Sequence, residues 1–187
     1  MSASGTVKIL GISGSLRAGS FNTAALHAAA ELAPAGMSIE VFPLADLPLY
    51  NEDLRAQGFP APVQHLRAAI KAADGLLIAT PEYNYSISGV LKNAIDWASR
   101  PPEQPFDGKP IAIMGAGPGA LGTARAQYHL RQCFIFLNGH VLNRPEVMIA
   151  AAGTKFDSAG KLTDQTTRDF LATMLVAFKA WTERLRG

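Results

Sequence analysis

The sequence predicts an α/β protein of the doubly wound class, a single parallel sheet with helices on both faces. Three observations lead there. Apolar runs of strand length alternate with segments of helical period, and the β-α unit recurs five times along 187 residues. Those runs are continuously apolar, not alternating, which marks strands buried on both faces. No internal repeat, low-complexity tract or linker divides the chain. One domain over residues 1–187 is therefore expected, large enough to bury a core without staples.

Val7–Ile12 reads as the first strand, an apolar run that ends at a polar loop. A helix from about Asn22 to Leu32 follows, alanine-rich and closed by Pro34 and Gly36. Ser38–Phe42 is a second strand. The next twenty residues contain four prolines, which forbid regular structure over much of their length. Val63, Leu66 and Ile70 then share one helical face. Gly75–Ala79 is a third strand, stopped by Thr80-Pro81, and Val90, Leu91, Ala94, Ile95 and Ala98 form a helical stripe. Pro110–Met114 is the fourth strand, with a glycine-rich turn after it and a helix from about Gly122 to Leu137. A fifth strand lies within Val141–Ala150, bent at Pro145. The last helix carries Phe170, Leu171, Met174, Leu175, Phe178, Trp181 and Leu185 at three- and four-residue intervals.

Composition narrows the function classes. Hydrophobic residues are 48% and charged residues 17%, a globular balance. A formal charge of +2, with scattered lysines and arginines, gives no footprint for nucleic acid. No stretch reaches the roughly 18 consecutive apolar residues of a membrane span. The first residues lack the pattern of a secretory signal, and the lone Cys133 fits a reducing compartment, so a cytoplasmic location is expected. Cys133 sits in an apolar helical stretch and is expected in the core. His27, His65, His129 and His140 lack metal-ligand spacing.

In such sheets ligands bind beyond the carboxyl ends of the strands, where strand order reverses. The loop after the first strand is unusual: Ser13, Ser15, Arg17, Ser20, Asn22 and Thr23 fall within eleven residues, with no lysine among them. It opens a helix, whose free N–H groups and dipole favour an anion. Gly14 and Gly19 are expected at positive φ, as a tight cradle requires. A well-capped helix is the plain alternative, but one cap accounts for one polar residue, not six. Gly14 and Gly19 have the spacing of a triphosphate loop, yet Ser20 stands where that loop needs lysine. A dinucleotide pattern occurs at Gly117, Gly119 and Gly122, without the acidic residue expected about 20 positions on. The first loop thus suits a single monophosphate, and in a five-stranded doubly wound sheet that points to FMN.

Gly14–Asn22, "GSLRAGSFN", together with Pro81–Trp97, "PEYNYSISGVLKNAIDW", resembles the NAD(P)H-dependent FMN reductases. That group includes bacterial quinone, chromate and azo-dye reductases. Asp46–Asp53, "DLPLYNED", is similar to its long second loop. The resemblance implies a flavodoxin-like three-layer sandwich with strand order 2-1-3-4-5. It puts Ser13, Ser15, Arg17, Ser20 and Asn22 on the FMN phosphate, with Gly14, Leu16 and Phe21 in the same loop. Pro81, Glu82, Tyr83, Asn84 and Tyr85 would surround the isoalloxazine, and Gly115, Ala116, Gly117 and Pro118 its pyrimidine side. Glycines in that turn would let the main chain approach a flat ring.

The chemistry expected is then a ping-pong hydride transfer from NAD(P)H through flavin N5, with no catalytic side chain. The acceptors are small molecules: quinones first, then chromate, azo compounds, ferric complexes or free flavin. The resemblance also implies a homodimer or homotetramer; Arg125 and Tyr128, at i, i+3 on one helix face, either meet Glu146 across a subunit boundary or form a solvated face. A flavodoxin-type electron carrier is the alternative, and the sequence pI near 8.8 disfavours it because such carriers are usually acidic.

Overall fold

The computed structural model describes residues 5–186. Its strands β1 (Val7–Ser13), β2 (Met37–Phe42), β3 (Gly75–Ala79), β4 (Pro110–Ala116), β5 (His140–Val141) and β6 (Val147–Ile149) pair in parallel. The order is β2-β1-β3-β4-β5, with β6 also on β4, the flavodoxin-like arrangement. Every residue of β3 and β4 is buried, as continuous apolar runs require, whereas the edge strand β2 is partly exposed. The expected fifth strand is two short segments along the same edge of β4. His140 and Val141 pair with Pro110 and Ile111, and Val147–Ile149 pair with Met114–Ala116. Pro145 lies in the gap, where it has no N–H to offer a ladder.

Alternate side chains of each strand reach opposite cores. Ile9, Leu77, Ala112 and Met114 meet α1 (Phe21–Glu31) and α6 (Gln165–Leu185). Leu10, Ile78, Ile111 and Ile113 meet α3 (Ala61–Ala72), α4 (Gly89–Ala98) and α5 (Ala124–Phe136). Leu171, Met174, Leu175 and Phe178 of α6 are fully buried, but Phe170, read as part of that stripe, is 46% exposed. Cys133 is likewise only half-buried, with Sγ 3.6 Å from the His129 carbonyl. Burial pushes its thiol pKa up, so it is a poor nucleophile.

The proline-rich connection is irregular except for α2 (Glu52–Ala56), whose first turn Asn51 caps by accepting from the Asp53 amide at 2.8 Å. Two of its backbone polar groups are satisfied by side chains of α4. Trp97 Nε1 and Asn93 Nδ2 donate to the Pro48 carbonyl at 2.8 and 2.9 Å, and the Tyr50 amide donates to Asn93 Oδ1 at 2.8 Å.

β1, β3 and β4 are neighbours, so the loops at their carboxyl ends converge. β1 leads into α1 on one face, and β3 leads into α4 on the other. The chain thus parts at the β1/β3 boundary, leaving a crevice there.

Candidate functional site

A cavity of about 510 Å³ occupies that crevice. Ser15, Arg17, Ser20, Phe21 and Asn22 form one end, Pro81, Glu82 and Tyr83 one side, and Ala116–Thr123 with Arg125 the other. The three sequence motifs are therefore walls of a single space. Of the residues read as cofactor-binding, Ser13, Gly14, Leu16, Asn84, Tyr85 and Gly115 are not on that wall.

At the loop end, Ser20 is the N-cap of α1, its Oγ accepting from the Thr23 amide at 3.3 Å. Its hydroxyl hydrogen stays available as a donor. Ser15 and Arg17 face the same space, and the guanidinium lies 5.3 Å from the Phe21 ring centre. The other polar residues of the motif serve the chain itself. Ser13 Oγ and Thr23 Oγ1 are bonded to each other at 2.8 Å. Asn22 is buried and its amide is tied to the end of β4: Nδ2 donates to the Ala116 carbonyl at 3.0 Å, and Oδ1 accepts from the Ala116 amide at 2.9 Å. Asn22 thus fixes the phosphate-type loop to the end of β4, and its second Nδ2 hydrogen is left to donate at the cavity wall.

Neither Gly14 nor Gly19 takes the positive φ expected of it. Gly14 is required by contact instead: a Cβ there would stand 3.0 Å from Pro81 Cδ and 3.1 Å from Ser88 Oγ. Ser88 Oγ also donates to the Gly14 carbonyl at 2.6 Å, so the first and third loops are locked together. Gly122 is the glycine that needs positive φ, at 62°.

After β3, Tyr83 and Ser86 exchange two backbone hydrogen bonds of 3.0 Å. Asn84 and Tyr85 between them have φ of 50° and 67°, as a tight two-residue hairpin turn demands. This turn carries both side chains off the cavity wall, and Tyr85 packs under Arg125, whose guanidinium is 3.7 Å from the ring centre. After β4, Thr123 is buried at φ 145°, a strained value for a β-branched residue. Its Oγ1 sits where a Cβ on Gly115 would be, 1.9 Å away.

Glu82 is the single carboxylate among the residues forming the wall, and it is committed. Oε2 accepts from the Arg125 and Ala126 amides at 3.0 and 3.2 Å, and Oε1 is paired with Arg125 Nη2. Burial pushes its pKa up, but the Ala126 amide and the Arg125 guanidinium outweigh this and hold it below the usual 4.5. A carboxyl so lowered contributes stability above its ordinary pKa, and that contribution is lost as pH falls through the lowered value.

Within the single chain, Arg125, Tyr128 and Glu146 have partners of their own. Glu146 is taken within the chain by Tyr128 at 3.3 Å and Arg131 at 3.6 Å, while Arg125 is held by Glu82. Gly119–Thr123 as cavity walls escaped the sequence reading of the site, although the glycine pattern there was visible. Among the described residues, no group of His, Cys, Asp and Glu is arranged to hold a metal ion. No helix among the described residues is long and apolar enough to cross a membrane.

The donor set fits an FMN. Hydroxyls, helix-terminal amides and one guanidinium at one end suit a phosphate ester, and backbone-rich turns at the other suit the polar edge of a flat ring. Among the residues that form the cavity wall, no uncommitted carboxylate would oppose an anion.

Known proteins bear on the same site. The family model for NADPH-dependent FMN reductase matches residues 7–154. An NAD(P)H-dependent FMN reductase of Pseudomonas aeruginosa is 61% identical over 181 residues, covering 97% of this chain and 98% of that protein. A quinone reductase of Escherichia coli K12 is 45% identical over 183 residues, covering 96% and 97%. Among solved structures, the flavoenzyme NAD(P)H:(acceptor) oxidoreductase FerB of Paracoccus denitrificans superposes with a TM-score of 0.87 at 35% identity, covering 95% and 97%. On this sheet order, this crevice and these matches, the chain belongs to the NADPH-dependent FMN reductase family.

Proposed function

We propose that the protein is an FMN-dependent NAD(P)H oxidoreductase that reduces quinones. The observation that carries this is the joining of the donor-rich N-terminus of α1 and two backbone-lined turns in one cavity. FMN, when bound, supplies the redox chemistry by taking a hydride from the nicotinamide and passing the electrons on. The chain does the rest. Ser15, Arg17, Ser20 and the first amides of α1 bind the phosphate, and the turns at Pro81–Tyr83 and Gly117–Thr123 hold the ring. Ser13, Gly14 and Gly115 act one layer back, and Asn22 ties the donor loop to β4 from the cavity wall itself. One open face then serves NAD(P)H and acceptor in turn, which selects flat electron acceptors by shape. Azo compounds and free flavin are flat as well, whereas chromate and ferric complexes meet the same requirement less well. The cytoplasm is where NAD(P)H is supplied, and the one half-buried thiol suits a reducing compartment.

Anaerobic addition of NADPH to the FMN-loaded protein tests this. Bleaching followed by quinone-dependent return of the yellow colour is expected. Persistent yellow would leave a carrier without a pyridine-nucleotide site. Arg17→Ala should weaken FMN binding roughly ten- to hundredfold, the scale of one charge-assisted hydrogen bond. A variant that purifies with full flavin occupancy would remove Arg17 from the phosphate site.

Self-association belongs to the same proposal. Ile135 and Phe136 end α5 at 78% and 94% exposure, and Leu49 stands 84% exposed on the clamped second loop. Rigidly held apolar side chains at the surface suit a second copy of the chain. Phe136→Glu should move the sedimentation coefficient toward that of a 19.8 kDa monomer at micromolar concentration. An unchanged profile would exclude this face.

A further inference from the structure

Helix α5 begins without a cap of its own. Its N-cap position, Thr123, makes no side-chain capping bond and holds φ 145°. The first amides of the helix are served instead by Glu82, 43 residues earlier in the chain, in the loop after β3. The Glu82 side chain is only 11% exposed. Its second oxygen holds the Arg125 guanidinium, which lies over the ring of Tyr85 in the strained hairpin turn that follows Glu82. The sequence Glu82, Arg125, Tyr85 is thus a closed clamp. It joins Pro81–Tyr83 to Gly117–Thr123, the two opposite sides of the cavity. A more peripheral tie, His129 Nδ1 to Ser86 Oγ at 3.1 Å, lies farther along the same helix.

We propose that Glu82 is a positioning residue. Its carboxylate, acting through the α5 amides and Arg125, sets the separation of the two turns between which the flavin ring and the nicotinamide are held. Both of its oxygens are engaged by α5, so the carboxylate acts through that helix. Removing it lets the Gly117–Thr123 turn relax from its strained conformation, and the flavin-binding slot loses its fixed width. The consequence falls on transfer geometry more than on nicotinamide affinity, because hydride transfer is steep in distance while binding is spread over many contacts. This inference rests on the reading that the cavity takes FMN.

Three variants separate the parts of the clamp. Glu82→Gln keeps an oxygen for the α5 amides and loses the ion pair. Arg125→Met keeps the carboxylate on the amides and loses the pair and the stacking. Glu82→Ala loses everything. The first measurement is hydrogen exchange on flavin-free protein, which needs no cofactor. Glu82→Ala should exchange the amides of residues 117–126 at least about tenfold faster, with α6 unchanged, and Glu82→Gln should stay within about threefold of the parent.

The second measurement is stopped-flow reduction of the FMN-loaded proteins by NADPH. In Glu82→Ala the limiting reduction rate should fall about tenfold with the NADPH concentration for half-saturation nearly unchanged, and Glu82→Gln should recover most of that rate. Arg125→Met should lie between the two. Equal exchange at 117–126 in all four proteins would overturn the clamp, as would faster exchange spread equally into α6. A Glu82→Ala protein that does not fold leaves Glu82→Gln and Arg125→Met to decide: both at parental reduction rate overturns the proposal. If the parent itself takes up no FMN, the flavin reading fails, and the exchange result on residues 117–126 still stands or falls separately.

Discussion

Gly115→Ala is expected to lose stability and flavin binding together, by at least about 3 kcal/mol in unfolding free energy. The added methyl would lie 1.9 Å from Thr123 Oγ1 and 2.5 Å from the Thr80 carbonyl oxygen. Neither neighbour can yield. Thr123 is buried, strained at φ 145°, and bonded through Oγ1 to Gln127 Nε2 at 3.1 Å. The Thr80 carbonyl is main chain beside the central strands, and the Thr80 amide is bonded to the Met114 carbonyl at 3.0 Å. The strain must therefore spread into the β4 end and the Gly117–Thr123 turn, which form the cavity wall.

Urea unfolding should give a much lower midpoint at unchanged slope, and FMN titration should give little or no uptake. The double variant Gly115→Ala, Thr123→Ala should recover part of the midpoint, because one of the two obstructions is gone. Gly119→Ala is the control. A Cβ there meets nothing within 4 Å, so its stability change should stay within about 0.5 kcal/mol. A parental midpoint for Gly115→Ala would show that the turn is far softer than its geometry implies.

Asn22→Ala should cost about 2–4 kcal/mol, because two buried backbone groups lose their partner at once. The Ala116 amide and carbonyl both bond the Asn22 side chain, at 2.9 and 3.0 Å, and both residues are buried. The loss is more than stability. Asn22 is the direct link between the donor loop and the glycine turn, so FMN affinity should fall with it. Asn22→Asp should do worse for FMN than its stability loss explains, since a carboxylate beside the phosphate cradle repels the anion and faces the Ala116 carbonyl. Denaturant midpoints and FMN titrations on both variants check this. Unimpaired FMN binding in Asn22→Asp would mean that the anion sits elsewhere.

These two residues mark where reading along the chain stops. Gly75–Ala79 and Pro110–Met114 could be recognised as central strands, because strands covered on both faces have to be apolar at every position. The donor-rich loop could be recognised too, because no ordinary turn needs so many hydroxyls and amides. Which donors were meant for a ligand was another matter. Ser13 faces Thr23, Asn22 faces Ala116, and Glu82 faces α5, each over a distance in sequence that spacing does not encode. Gly14 and Gly115 look like turn glycines but are contact glycines, defined by neighbours 67 and 8 residues away, Pro81 and Thr123. Cys133 looked like core because its neighbours are apolar, yet Ile135 and Phe136 point outward. An apolar run on a helix gives no sign of which partner it buries against.

What the chain alone determined is the layered parallel sheet, the place of the crevice at its carboxyl edge, and the kind of group held there. Those follow from local periodicity and from the chemistry of side chains close in sequence. What the tertiary structure decided is the division of labour inside the motifs: which polar groups bind, which brace, and which helix end borrows its cap from another loop. A buried polar group must find a partner somewhere, and only the packed chain determines whether that partner is a ligand or the protein itself.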